Sequence, residues 1–74
     1  MSVRAKFRVT CIESRGTGAN AHKTFVLNPV TSGSEENKSF FKWTPSGEIR
    51  LATVNPEVQL DLEGEYYVDF TKAG

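Results

Sequence analysis

The beginning of the chain alternates strictly between apolar and polar residues. The odd-numbered positions of residues 3–11 are apolar: Val3, Ala5, Phe7, Val9 and Cys11. The positions between them are cationic or polar: Arg4, Lys6, Arg8 and Thr10. A period of two over nine residues predicts a half-buried antiparallel strand, with Cys11 as a small buried hydrophobe. A slip by one residue would bury three cations, so the facing of this strand is well determined.

The next segments predict two more strands separated by loops. Residues 15–22 are rich in glycine and small residues, which is typical of a hairpin loop, and residues 24–28 return as a second strand ended by Pro29. Residues 31–37 form a polar loop in which a single helical turn is possible. The aromatic run from Ser39 to Trp43 then predicts a third strand.

The second half of the chain alternates again. Residues 44–47 have proline second and glycine fourth, the preference of a type I turn, and Glu48 to Val54 follow as a fourth strand. Asn55-Pro56-Glu57 has the signature of a helix start and predicts a short helix that Gly64 ends. Residues 65–71 form the last strand, in which Tyr66 points to the core and Tyr67 outward.

These elements predict one small all-β domain over residues 1–74. About five antiparallel strands with one short helix before the last strand favour a small β-barrel, OB-like or SH3-like. A chain of 74 residues buries only about 60% of the surface that its unfolded form exposes. Self-association would extend so small a core, and we therefore expect a homo-oligomer.

The composition argues against catalysis and against a metal or cofactor site. Cys11 and His22 are the only cysteine and the only histidine, so the chain offers neither a disulfide nor the ligand spacing of a zinc site. Residues 16–21 nearly fit a phosphate-binding glycine motif, but the following residues predict a strand where that motif requires a helix. We expect a non-enzymatic protein without cofactor. The lone thiol and the absence of a long apolar run predict a location in the cytoplasm and no membrane partner.

The formal net charge is zero, but the charges are unevenly distributed. Residues 1–42 carry seven Lys and Arg against three Glu, a net charge of +4, and residues 43–74 carry two against six acids, a net charge of −4. The two halves can neutralise each other in one sheet, Arg4, Lys6 and Arg8 then pairing with Glu65, Asp69 or Glu48. Alternatively, the basic strand contacts phosphates or an acidic protein.

The stretch Phe40-Phe41-Lys42-Trp43 contains three of the eight aromatic residues of the chain. In a strand, Phe41 and Trp43 would face the core, and Phe40 and Lys42 would face outward. Phe40 then stacks on a ligand such as a base or packs in a subunit interface, and we favour the interface. The candidate binding residues of the whole chain are Arg4, Arg8, Phe40, Lys42, Trp43 and Tyr67.

Three stretches resemble a group of short bacteriophage and prophage proteins: residues 36–41, Trp43-Thr44-Pro45-Ser46-Gly47, and Gly64-Glu65-Tyr66-Tyr67-Val68-Asp69-Phe70-Thr71. The group shares a T-P-S-G turn and a final G-K-x-Y-Y-x-D-F-T strand, and Glu65 stands where lysine is common. The resemblance implies a phage origin and carries no activity or site residue with it.

Size, charge and resemblance together lead to three hypotheses. The first is an oligomeric phage accessory protein that acts in the host cytoplasm and binds a host protein or a small anionic ligand such as a signalling nucleotide. The second is an OB-like protein that binds single-stranded nucleic acid through Phe40, Trp43, Tyr67 and the basic strand. The third is a minor structural protein of the virion.

Overall fold

A computed structural model describes residues 2–74, with the side chains of all of them except Ser2 and Asn20. The elements are β1 (Ser2–Arg15), a 3₁₀ turn (Gly18–Asn20), β2 (His22–Pro29), α1 (Glu35–Phe41), β3 (Ile49–Thr53) and β4 (Glu65–Thr71). The strands form one antiparallel sheet in the order β3-β2-β1-β4, which curls as a half-barrel. The predicted all-β class with one short helix is confirmed, with four strands where five were expected. The helix lies between β2 and β3, however, and not directly before the last strand as predicted.

Strand β1 follows the predicted alternation only as far as a bulge. Val9 pairs with Leu27 of β2 and Cys11 with Val26, so Thr10 is an extra residue without its own partner. An extra residue moves all later side chains to the opposite face. The prediction that Cys11 is buried is therefore wrong: Cys11 is exposed, and Ile12 packs against the core in its place.

The segment predicted as the third strand is the helix α1, which is a correction with a local cause. The hydroxyl of Ser34 accepts a hydrogen bond from the backbone N–H of Asn37 at 3.2 Å, and Glu35 and Glu36 occupy the first helical turn. A serine cap followed by acids stabilises a helix start. The helix ends at Phe41, and the following residue, Lys42, caps it with a φ of +69°. Thr44 to Gly47 consequently follow a helix as irregular chain and do not form the predicted turn between two strands.

The predicted helix after Asn55 is also wrong, although its capping bond exists. The side-chain oxygen of Asn55 accepts from the N–H of Glu57 at 3.0 Å, and its carbonyl accepts from the N–H of Val58 at 3.2 Å. The chain then leaves this turn and continues as an irregular segment. Leu60, in this segment, packs against the core cluster. Leu60 thus becomes partly buried because an irregular segment, and not a helix, lies across the core face of the sheet.

The side chain of Asn37 joins α1 to the sheet. Its Oδ1 accepts from the N–H of Lys6 at 2.7 Å, and its Nδ2 donates to the carbonyls of Lys6 and Val30 at 2.7 and 2.8 Å. Pairing between β1 and β2 ends at Phe7 and Pro29, so the amide of Asn37 occupies the place of a neighbouring peptide group. Asn37 is 1% exposed, and its hydrogen bonds offset the cost of burying a polar group.

The two faces of the sheet differ in composition. One face carries the core, formed by Ala5, Phe7, Val9, Phe25 and Leu27, with Ile49, Tyr66 and Val68 packed against it. The opposite face presents the ionic side chains of β1 and β4 together with Tyr67. We call it the charged face: Arg4, Lys6, Arg8, Glu65, Tyr67 and Asp69. As predicted, Tyr66 packs on the core, and its hydroxyl accepts from the N–H of Asp61 at 2.8 Å. No helix within residues 2–74 has the length and apolar character needed to cross a membrane.

Candidate functional site

The charged face is an ion-pair ladder between β1 and β4. The guanidinium of Arg4 contacts Asp69 twice, through Nε at 2.6 Å and Nη2 at 3.2 Å, and Nη2 of Arg8 contacts Glu65 at 2.5 Å. These side-chain hydrogen bonds are the main reason why the pKa of Asp69 and that of Glu65 lie below their ordinary values. The same bonds raise the pKa of Arg4 and of Arg8. The pairing predicted between the two halves of the chain is therefore present.

Tyr67 lies between two cations of this ladder. Cζ of Arg4 lies 4.8 Å and Nζ of Lys6 lies 5.4 Å from the centre of its ring. Lys6 also approaches Glu36 of α1 at 3.8 Å. Tyr67 is 54% exposed, as predicted, but its ring already interacts with cations of the same chain. Each cation that surrounds Tyr67 has a carboxylate partner, so this face offers little charge to an external anion.

The other three candidate residues lie at the end of α1. Phe40 is 41% exposed, as predicted, and its ring contacts Phe41 at 4.8 Å and Phe70 at 5.8 Å between centroids. Phe41 packs against the core as predicted. Trp43 is 78% exposed, so its predicted place in the core is wrong. Helical geometry separates the side chains of Phe41 and Trp43, which would have shared a face in a strand.

Lys42 and Trp43 border a groove of 170 Å³ beside the start of α1. Nζ of Lys42 lies 5.7 Å from the centre of the Trp43 ring, within the range of a cation–π contact. Lys38 lines the same groove one helical turn before Lys42. We call this the Trp43 surface: Lys38, Lys42, Trp43, and the groove that they line together with residues 30–34, Thr44 and Pro45.

Lys42 is one of few cations without a carboxylate partner. Among residues 2–74, six of the nine Lys and Arg have a carboxylate within 4.0 Å, and the exceptions are Lys23, Lys42 and Lys72. Of these three, only Lys42 lies over an exposed aromatic ring within the described part of the chain. Its positive charge is therefore available to an anion, next to a ring on which a planar group can stack.

A second groove lies at the far end of the β1–β2 hairpin. It has a volume of 380 Å³ and includes Arg15, His22 and Lys23 together with residues 53–56. The glycine loop beside it contains a 3₁₀ turn and leads into β2, so it lacks the helix that a phosphate-binding loop requires. His22 belongs to β2 and not to the polar loop in which it was predicted. Across residues 2–74, the His, Cys, Asp and Glu side chains form no group that could hold a metal ion.

The structure divides the six predicted binding residues into two groups. Arg4, Arg8 and Tyr67 lie on the charged face, and Phe40, Lys42 and Trp43 lie around the end of α1. Sequence analysis missed Lys38. Lys38 and Lys42 are four residues apart, a spacing that brings two side chains together only in a helix, and a strand was predicted for this segment. The signal that could have found it is the serine cap at Ser34, followed by two acids.

Comparison with known proteins gives no relative from which a function could be transferred. No protein-family model, no characterised protein and no solved structure matches this chain.

Proposed function

We propose that this chain is a non-enzymatic binding protein that takes a small anionic ligand with an aromatic ring, such as a nucleotide, on the Trp43 surface. The observation that carries the proposal is the pairing of a 78% exposed tryptophan with a lysine that lacks a carboxylate partner. The phage origin belongs to this proposal and rests on the resemblance alone. The resemblance carries no activity, so a signalling nucleotide of the host is proposed as the ligand from the chemistry of the Trp43 surface together with that origin.

The two parts of such a ligand fit the two parts of the surface. A base that stacks on an exposed aromatic side chain contributes about 1–3 kcal/mol. The charge of a phosphate meets Lys42 and, one turn away, Lys38, which is held only by an exposed pair with Glu35 at 3.3 Å. The groove of 170 Å³ is below the roughly 300 Å³ typical of an enclosed ligand site. It therefore suits one anionic group, with the ring of the ligand lying outside it on Trp43.

Single-stranded nucleic acid is a weaker candidate for the same surface. Binding of a strand depends on several cations that contact successive phosphates. Arg4 and Arg8, which sequence analysis assigned to this role, are held by Asp69 and Glu65. A mononucleotide needs only the charge at the end of α1.

The fluorescence of Trp43 tests the proposal directly, since this is the only tryptophan of the chain. The protein is titrated at low ionic strength with nucleoside mono- and diphosphates, cyclic dinucleotides and inorganic phosphate. We expect saturable quenching by nucleotides and little change with phosphate alone. Substitution Lys42→Gln should weaken binding up to about fivefold, because an exposed ion pair contributes up to about 1 kcal/mol. Trp43→Leu removes the fluorescent residue, so binding by this variant is measured by heat release. We expect it to be abolished.

Matched variants separate this surface from its alternatives. Lys72→Gln removes another lysine without a carboxylate partner, and Tyr67→Leu removes another exposed aromatic ring; neither should change nucleotide affinity. Lys23→Gln tests the groove at the end of the hairpin. The proposal is overturned if no nucleotide quenches Trp43, or if Lys23→Gln weakens binding while Lys42→Gln does not. Tighter binding of a long single strand than of its mononucleotide, lost in Arg4→Gln, would favour the nucleic-acid hypothesis.

A further inference from the structure

A single copy of this chain leaves an unusually large surface exposed. Its accessible surface is 5583 Å², whereas a folded monomer of 8.2 kDa is expected to expose about 4,500 Å². Its radius of gyration is 14.1 Å, compared with about 11 Å for a compact domain of this length. The excess of about 1,000 Å² is close to the ~800 Å² that each partner buries in a standard protein interface. The area thus matches what association with one further copy would bury.

Exposed apolar side chains collect beside β4. Val3 and Phe70 pair across β1 and β4, and the ring of Phe40 lies 5.8 Å from that of Phe70. These three side chains are 47%, 47% and 41% exposed. Together they form an apolar patch on the core side of the sheet, at its β4 end. A second copy that continues the sheet past β4 would extend the apolar layer to which this patch belongs.

Strand β4 has an open edge without the usual protection. It is the last strand of the sheet on its side and is regular over seven residues. Proteins commonly protect an edge with lysine, proline, a bulge or an uncompensated charge. Residues 65–71 contain no lysine and no proline, and their pairing with β1 shows no bulge. The two acids on this strand are neutralised by Arg4 and Arg8 within the same chain.

The backbone groups that β4 directs outward can be assigned from its neighbour. Both backbone groups of Lys6 point away from β4, towards Asn37 and Val30. Residues alternate along a strand, so Ala5 and Phe7 point towards β4 and bind their partners Val68 and Tyr66. The residues between those partners therefore direct their N–H and C=O groups to the open edge: Glu65, Tyr67, Asp69 and Thr71.

Charge selects one of the three registers that centre the pairing on the middle of β4, at Tyr67, Val68 or Asp69. Two antiparallel β4 strands can be related by a twofold axis that passes through a residue of the strand. In that case core-facing side chains of one copy lie opposite core-facing side chains of the other, and the same holds for the charged face. An axis at Tyr67 places Glu65 opposite Asp69 of the second copy, and an axis at Asp69 places two Asp69 side chains opposite each other. Like charges directly opposite each other destabilise a strand pair. An axis at Val68 avoids both and sets Tyr66 opposite Phe70 and Tyr67 opposite Asp69.

We infer that two copies of this chain associate through their β4 edges, antiparallel and centred on Val68, to form one continuous eight-stranded sheet. The surface uses no residue of the Trp43 surface, so the inference does not rest on ligand binding. The pairing satisfies the outward backbone groups of Tyr67 and Asp69 in both copies. It also joins the two apolar patches to the half-buried side chains of Tyr66 and Val68 on the core side.

Cysteine cross-linking tests the register in the full chain, in a Cys11→Ser background because Cys11 is exposed. In the inferred dimer the two Val68 residues form a pair with Cα atoms about 4.5 Å apart, within the range of a disulfide. Val68→Cys should therefore form a covalent dimer on mild oxidation severalfold more completely than Tyr67→Cys, whose two copies lie diagonally. Predominant cross-linking of Tyr67→Cys, or equal cross-linking of both, overturns the register.

A proline at the open edge tests the association itself. Tyr67→Pro removes an outward N–H without touching the bonds between β4 and β1, and Tyr67→Ala is its matched control. By sedimentation velocity, the unmodified chain and Tyr67→Ala should be dimeric and Tyr67→Pro monomeric. A monomeric unmodified chain, or a dimeric Tyr67→Pro, overturns the inference. Nucleotide quenching of Trp43 should persist in Tyr67→Pro, so a failure of dimerisation and a failure of ligand binding are distinguished.

Discussion

The charged face and the Trp43 surface both combine cations with aromatic rings, yet they differ in how the cations are balanced. On the charged face, Arg4, Lys6 and Arg8 each lie within 4.0 Å of a carboxylate. On the Trp43 surface, Lys42 has no such partner. Composition alone predicts a ligand surface in both places. Whether a cation is free to bind an anion depends on the carboxylates that the fold brings next to it.

The two regions are joined by Asn37, whose substitution should have the largest effect. Asn37→Asp places a carboxylate oxygen against the carbonyls of Lys6 and Val30, in place of the N–H groups that now bind them. We expect a loss of about 3 kcal/mol in the free energy of unfolding, because a buried group then lacks its partners. Denaturation by urea, followed by circular dichroism, measures this loss.

Asn55→Ala is the control for Asn37→Asp, since it also removes an asparagine amide but at an exposed position. Its cost should be below about 1 kcal/mol, typical of a local capping bond. Equal losses in the two variants would contradict the role of Asn37 as the link between α1 and β1. If Asn37→Asp folds, its Trp43 surface should bind nucleotides more weakly, because α1 is no longer fixed to the sheet.

Asn37 also marks the boundary of what the sequence can predict. Strand β4 was predicted with the bounds that it has, and β1 was predicted as far as its bulge, because a period of two identifies a strand locally. The use of an asparagine side chain as a substitute for a strand partner depends on Lys6, which lies 31 residues away in sequence. No local pattern reports such a contact. Without that contact, two local signals remained: the aromatic residues 40–43, which favour a strand, and the cap at Ser34, which favours a helix. The sequence analysis followed the aromatic residues and predicted a strand.

Substitution of Phe41 should have the next largest effect on stability, and comparison with Trp43, two positions later, distinguishes a core residue from a surface residue. Phe41 packs against the core cluster, whereas Trp43 is 78% exposed. We expect Phe41→Ala to lower the free energy of unfolding by about 2 kcal/mol, somewhat less than for a fully buried phenylalanine. Trp43→Ala should change it by less than about 0.5 kcal/mol. Urea denaturation of both variants decides, with binding of nucleotide measured in parallel.

The opposite pattern of losses would place Trp43 in the core and remove the basis of the proposed ligand surface. Retained binding by Phe41→Ala together with lost binding by Trp43→Ala would confine recognition to the exposed ring. Sequence analysis could not make this distinction. In a strand, residues 41 and 43 share a face, whereas in a helix they do not. Predicting a strand in place of the helix therefore put Trp43 in the core with Phe41.

The candidate site was predictable in its residue types and not in its grouping. Lys42 and Trp43 are adjacent in sequence, so their joint exposure requires only the local helix end. Lys38 joins them through helical spacing, and the groove also needs residues 30–34 from the preceding loop. Arg4 and Arg8 were equally good candidates by charge. Their pairing with Asp69 and Glu65, 65 and 57 residues away in sequence, decides against them.

The smallest expected effect is the pH dependence that the ion-pair ladder confers. The pKa values of Asp69 and Glu65 in the folded chain lie below the ordinary values of 3.8 and 4.5 because Arg4 and Arg8 donate hydrogen bonds to them. A carboxyl with a lowered pKa in the folded state stabilises it fully above the ordinary value, and the contribution is lost as pH falls through the folded value. Unfolding free energy should therefore decrease on acidification below about pH 4.5.

Variants Asp69→Asn and Glu65→Gln should make the acid side of the stability curve shallower. Glu57 is an exposed acid without a cation within 4.0 Å among residues 2–74, so Glu57→Gln should leave the curve unchanged. Urea denaturation between pH 2.5 and 7, at low and high salt, measures the slopes. Because the pairs are exposed, salt should reduce the difference. If Glu57→Gln flattens the curve as much as Asp69→Asn, the acids act through net charge and not through their partners. The contrast between a balanced charged face and an unbalanced Trp43 surface would then lose its physical basis.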